Sequence, residues 1–299
     1  MTAATPAADA RPRFEPDLMR RKLAGTLFYG ACIFAIVVLL VALLALLFEV
    51  LRQGLPWLNA NFLTSPPSSR PARAGIFPAL LGSLELGIMV GLMAFPVGIA
   101  AAVYLAEYAS DSRVNRLLQT NIGNLAGVPS IIYGILGLGV FVRLAGLGPT
   151  VFAGALTLTL LILPIVIIAS IEALKAVPGS QREGAYALGA TRWQVVRRSV
   201  LPAAAPGIMT GIILAMARAV GEAAPLIVIG AFTFVTFIPN PFAGQYTVLP
   251  IQIYGWAIRP QDDFQGISAA AIIVILALIL ILNALALVVR ARLSRHIQW

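Results

Sequence analysis

The chain has 299 residues, of which 60% are apolar and 11% charged, and its mean hydropathy is +0.92. A water-soluble domain carries about 25% charged and about 45–50% apolar residues, so a soluble enzyme, a nucleic-acid binder and a disordered chain are excluded. The composition is that of an all-α, multi-pass membrane protein, and the net charge of +9 is then a matter of where arginines fall relative to the bilayer.

Residues 1–23 are polar and basic, with Pro6, Pro12 and Pro16 among Arg11, Arg13, Arg20 and Arg21, which predicts a disordered cytoplasmic tail. Residues 27–48 form a charge-free apolar run of 22 residues. It exceeds the roughly 7 to 15 of a signal-peptide core and no Ala-x-Ala site follows, so it reads as a retained first helix within 24–51. An external loop over 52–74 follows. Five further runs, at 75–108, 121–142, 149–173, 204–237 and 266–289, are each long enough for the roughly 20 residues that a bilayer core demands. Their continuity, without alternation, excludes a β-barrel.

Pro96, Pro129, Pro164 and Pro225 interrupt these runs, as membrane helices tolerate where neighbours or a wet cavity satisfy the freed backbone. Gly87 with Gly91, and Gly207 with Gly211, stand at the GxxxG spacing of close helix packing, within the chain or in a dimer.

With both termini cytoplasmic, fifteen of the 21 lysines and arginines lie inside. Five lie outside, at Arg52, Arg70, Arg73, Arg143 and Arg259, and Arg218 is left within the fifth span. That bias supports the orientation. Cys32 is the only cysteine and His296 the only histidine, so an intrachain disulfide, a His-based metal site and a Ser-His-Asp triad are all unavailable. Neither Lys22 nor Lys175 follows a glycine, so no GxxxxGK[ST] phosphate loop exists and the chain by itself is not an ATPase.

The segment 172–206, EALKAVPGSQREGAYALGATRWQVVRRSVLPAAAP, is long, polar and basic, and lies on the inner side. Residues 181–198 read as an amphipathic helix broken at Gly189, offering Tyr186, Leu188, Trp193 and Val196 to an apolar surface. It could lie on anionic headgroups or dock a soluble partner. The pattern Glu183, Gly184, Ala185, then Gly189, then Leu201 and Pro202 resembles the EAA loop of ABC importer permeases. The resemblance implies that the segment 176–202 is a coupling helix seated on an ATPase subunit. Gly184 replaces the usual Ala and Ser199 the usual aliphatic residue.

The stretches LAGVPSIIYGILGLGVFV, ILAMARAVGEAAPLIVIGA and TVLPIQIYGWAIRPQDDF extend the likeness to the PstA family of phosphate-importer permeases, over most of residues 75–292. That resemblance implies a type I importer domain of six transmembrane helices in the bacterial inner membrane. It implies a heterodimer with the sister permease PstC, two copies of the ATPase PstB that bind ATP and Mg²⁺, and the phosphate receptor PstS. No cofactor, metal or nucleic acid is expected on this chain. Sulfate, molybdate and tungstate permeases share the coupling loop, so the loop leaves the oxyanion open. An ion-coupled secondary transporter would want inverted repeats, and none is visible. A channel or membrane anchor would need no ATPase partner at all. Relatives carry a basic residue where this chain has Ile171 beside Glu172, a role Arg182 or a partner chain could fill.

Ionisable groups at depth are few: Glu85 in the second span, Arg218 and Glu222 in the fifth. Arg218 lies about 21 Å into a helix that starts near Ala204, at or beyond the midplane, where a charge needs a partner or a wet cavity. At a spacing of four, Arg218 and Glu222 would share a helix face. They form either a structural ion pair or an anion path in which the guanidinium fork meets phosphate and Glu222 competes to release it. Glu85 reads as a structural or cavity-lining residue.

Overall fold

A backbone in hydrocarbon has no water to satisfy its N–H and C=O groups, so an apolar chain closes them within helices. The computed structural model describes residues 18–231 and 234–294. Of the tails expected over 1–23 and 293–299, residues 1–17 and 295–299, His296 included, lie outside the described residues, as do Phe232 and Thr233 of the expected fifth span, whereas residues 18–23 and 293–294 belong to helices. The rest is helical apart from loops and one isolated bridge between Asn240 and Ala243. Five helical stretches are long and apolar enough to cross a membrane, namely Met19–Trp57, Phe77–Tyr108, Val151–Lys175, Arg192–Gly221 and Asp262–Arg292. A sixth is a broken pair, Arg113–Ala126 with Ser130–Leu144, bent by 100°.

Helix α1 (Leu18–Gly54) runs unbroken for 37 residues, longer at both ends than expected. The short α2 (Ala60–Thr64) starts at Asn59, whose side chain accepts the Phe62 N–H at 2.8 Å. Phe62 is buried against Trp256, with ring centroids 6.2 Å apart.

Helices α3 (Phe77–Val103) and α6 (Val151–Lys175) form the most extensive pairing in the chain. Leu86, Val90 and Ala94 of α3 meet Leu158, Ile162 and Val166 of α6 in one buried cluster. Gly98 makes room for Val166, whose Cγ1 would lie 2.6 Å from a Cβ there. Helix α6 begins at Thr150, whose hydroxyl accepts the Ala153 N–H at 3.3 Å.

The third expected span is not one helix. Helix α4 (Arg113–Ala126) and α5 (Ser130–Gly137) meet at Gly127, Val128 and Pro129. Pro129 has no N–H to continue the ladder of α4. Arg113, Asn115, Arg116, Gln119 and Asn124 make α4 largely polar, and residues 121–126, expected within the span, belong to it.

Helix α7 (Gly179–Ala187) and α8 (Arg192–Val195) follow, and α8 leads through a wide helical turn, Val196–Val200, into α9 (Leu201–Gly221). The wide turn has a cause: Pro202 cannot donate to the carbonyl of Arg198, so the ladder slips to a longer spacing. The expected fifth span therefore starts earlier, at Arg192, and its helix stops at Gly221 rather than near Phe237. Pro225 lacks the N–H that would have bonded Gly221, and the chain restarts as α10 (Ala224–Ile229), which ends on Gly230 in the left-handed conformation, φ 101°.

Gly207 and Gly211 are turned against Ala173 and Ala169 of α6, so this GxxxG pair packs two helices of one chain rather than a dimer. Helix α11 (Leu249–Ala257) is tied to α3, where the Ser83 hydroxyl accepts the Leu249 N–H at 2.8 Å. Helix α12 (Asp262–Ser294) packs on α9 and α11.

Candidate functional site

Two broken elements meet in the chain, α4–α5 and α9–α10. Gly134 of α5 lies against α10 so closely that a Cβ would stand 2.7 Å from the Pro225 Cα. The Tyr133 hydroxyl donates to the Leu125 carbonyl at 2.8 Å, across the Gly127–Pro129 break, where the same carbonyl also accepts the Val128 N–H at 3.1 Å. Gly/Pro-interrupted membrane helices whose freed backbone needs polar company are the usual setting of a substrate path.

Arg218 stands in the last turn of α9, where the free carbonyls of a helix C-terminus favour a cation. It is exposed on this chain. Glu222 is half-buried and caps α9 with extended backbone, φ −83° and ψ 123°. This corrects the expected shared helix face: the helix has ended, and among the described residues Arg218 and Glu222 form no ion pair.

Glu85 is half-buried, and one carboxylate oxygen is enclosed without a hydrogen-bond partner among the described residues. A Cβ at Gly87 would stand 3.6 and 3.8 Å from the Val220 and Met216 side chains of α9, so α3 faces α9 there. Glu85 and Arg218 are each two residues, about 200° of helix, from those contacts. They point away from the seam on opposite sides, and the structure does not bring them together.

The segment singled out by its EAA-like pattern folds as two short helices around a tight turn. Gly189 sits at φ +79°, which L side chains rarely adopt, and closes α7 with two backbone bonds, Gly189 to Tyr186 at 2.9 Å and Ala190 to Ala185 at 3.2 Å. Thr191 then opens α8 with a reciprocal cap. Its hydroxyl accepts the Gln194 N–H at 3.4 Å, and the Gln194 side chain accepts the Thr191 N–H at 2.8 Å. The turn presents Leu188 at 90% exposure, Trp193 at 58% and Tyr186 at 46%. Val196, expected beside them, is instead buried against the chain's own core. Glu183 and Gly184 are exposed, and nothing lies within 4 Å of the position a Gly184 Cβ would take. Ala185, Leu188, Gly189, Gln194 and Arg198 line a hollow of about 320 Å³. Leu201 and Pro202 lie apart from this turn, in the first turn of α9, where they join the segment to that helix.

Arg182 is not available to a passing anion. Its Nη2 donates to Glu107 Oε1 at 2.7 Å and to the Leu174 carbonyl at 2.8 Å, its Nη1 donates to the Val177 carbonyl at 2.7 Å, and its Nε reaches both Glu107 oxygens at 3.3 and 3.4 Å. Sequence reading missed Glu107. The available signal was an acidic residue closing the apolar second span on the side where the basic loop lies.

Over residues 94–295 the chain matches the family described as binding-protein-dependent transport system inner membrane component. The chain belongs to that family. Such permeases are non-catalytic, multi-pass inner-membrane subunits that work with a separate ATPase and a substrate-binding protein. The permease is 33% identical over 284 residues to the phosphate transport system permease protein PstA 1 of Mycobacterium tuberculosis, covering 92% of this chain and 91% of the relative. It is 35% identical over 218 residues to the probable ABC transporter permease protein YqgI of Bacillus subtilis, covering 72% and 73%. In fold it is similar to a chain of a bacterial alginate ABC transporter solved with a pentasaccharide-bound periplasmic protein. The TM-score is 0.62 at 18% identity, over 95% of this chain and 98% of the other.

Proposed function

We propose that this permease is the membrane subunit of an ATP-driven importer that moves inorganic phosphate into the cytoplasm by alternating access. The observation that carries the substrate is likeness along nearly the whole chain to a phosphate transport permease, joined to an exposed arginine at a helix break. Arginine suits the task because its planar fork matches a phosphate edge and keeps its charge at any working pH. Glu222 forms no ion pair with that arginine among the described residues; four positions away in sequence, it supplies a negative charge that repels the anion and weakens its binding enough for release.

The exposed turn around Gly189 docks on the ATPase and faces the cytoplasm, as do both termini. Three exposed apolar side chains on an otherwise polar loop are an interface signature. The partners are the sister permease PstC, two copies of PstB carrying ATP and Mg²⁺, and the receptor PstS, with lipid around the spans.

The test is labelled-phosphate uptake by cells lacking only this chain, complemented with wild type, Arg218→Ala or Glu222→Gln, with sulfate and molybdate as competitors. Wild type restores phosphate uptake that neither competitor blocks, and the variants assemble without transporting. Restored sulfate or molybdate uptake in place of phosphate would reassign the substrate.

A further inference from the structure

We infer that Glu107 is a positioning residue that couples the docking segment to α3, and so passes ATPase motion to a helix with no nearby covalent link to that segment. The inference rests on the docking role proposed for α7 and α8.

Three elements converge on Glu107, which lies in the wide helical turn Tyr104–Tyr108 at the end of α3. The Arg182 fork brings α7, and the same guanidinium holds the Leu174 and Val177 carbonyls at the end of α6. Arg192 of α8 donates through Nη2 to the Glu107 carbonyl, and its guanidinium lies 4.9 Å over the Tyr108 ring. The Glu107 and Arg182 side chains are only 10% and 22% exposed. Seventy-five residues of sequence separate them.

This arrangement differs from two other ion pairs among the described residues. Arg116–Asp111 and Lys175–Glu172 are each more than half exposed, with separations of 3.6 and 3.5 Å, and such pairs add little. A sheltered, charge-assisted fork held by four acceptor atoms resists separation, because pulling it apart leaves a poorly solvated charge without its partner. The docking segment is continuous with α9 through the Val196–Val200 turn and reaches α6 across Ala176–Pro178. Helix α3 has no such covalent connection: it packs on α6, and the Glu107 clasp ties its end directly to α7 and α8. Through Gly87, α3 in turn lies against Val220 and Met216, on either side of Arg218 in the sequence of α9. Motion at α7 therefore shifts α3 and α9 together, and the seam beside the break moves as one body.

The test uses the full complex of both permeases, the ATPase and the receptor in proteoliposomes, with ATPase retention, basal hydrolysis and phosphate transported per ATP measured side by side. Glu107→Ala is expected to retain the ATPase and its basal hydrolysis while phosphate per ATP falls by about tenfold or more. Glu107→Gln keeps the shape and an acceptor but loses the charge, and shows a smaller fall; Glu107→Asp recovers most of the ratio. Wild-type stoichiometry in Glu107→Ala overturns the inference, as does loss of ATPase binding in both Glu107→Ala and Glu107→Gln, which would make the clasp a mere support for the loop. A wild-type chain that holds no ATPase would instead sink the docking role itself.

Discussion

Gly211 of α9 lies against Ala169 of α6 with no room for a methyl group between them: a Cβ at 211 would stand 2.4 Å from that of Ala169. Gly211→Ala should therefore destabilise the protein by about 1–3 kcal/mol, the usual range for overpacking. The loss should be largely recovered in the double variant Ala169→Gly, Gly211→Ala. Thermal unfolding of the purified chain in detergent reads both; an undisturbed single variant would mean that the α6–α9 seam is looser than described.

Gly189 carries the left-handed turn between α7 and α8. Gly189→Val places a β-branched residue at φ +79°, with a strain of roughly 1–2 kcal/mol confined to an exposed loop. Uptake should be abolished while the membrane pair still assembles, and Glu183→Lys should do the same by reversing a charge at the docking surface. Uptake by cells, compared with co-purification of the sister permease, checks this.

Trp193→Ala should weaken ATPase binding by about 2 kcal/mol or more, near thirtyfold, if it is an anchor of the interface. Because Trp193 is 58% exposed on the isolated chain, the substitution should leave thermal stability nearly unchanged. Titrating the ATPase onto detergent-solubilised permease gives the affinity.

Arg218→Lys keeps a positive charge and loses the planar fork. Transport should fall by about tenfold or more, since hydrogen bonds to charged groups are each worth about 1.5–3 kcal/mol. Normal uptake in Arg218→Lys would show that a point charge suffices, and normal uptake in Arg218→Ala would move the path elsewhere.

Tyr133→Phe removes the bond from the hydroxyl to the Leu125 carbonyl across the α4–α5 break. A loss of about 1 kcal/mol is expected, the usual net worth of one hydrogen bond, since the carbonyl keeps the Val128 N–H as a donor. The melting temperature of the purified chain measures it.

The helical membrane class was legible in composition, since 60% apolar residues leave few other ways to satisfy a backbone. The turn at Gly189 was legible because the glycine and its flanking polar residues form a local turn whose chemistry depends on near neighbours alone. The Arg218–Glu222 geometry was not. Spacing by four implies a shared face only while a helix continues, and here Pro225 ends the ladder at Gly221.

From the sequence alone came what depends on local order: the apolar runs, the breaks at Pro129 and Pro225, the arginine bias and the turn around Gly189; the interruptions expected at Pro96 and Pro164 are absent, because both prolines sit inside the continuous helices α3 and α6. Only the tertiary structure decided which partners those residues meet. It spent Gly207 and Gly211 on α6 rather than on a second chain. It turned Glu85 and Arg218 away from each other on either side of the α3–α9 seam, and it closed Arg182 onto Glu107. Such pairings join residues far apart along the chain, and neither periodicity nor spacing carries information about contacts that packing alone brings together.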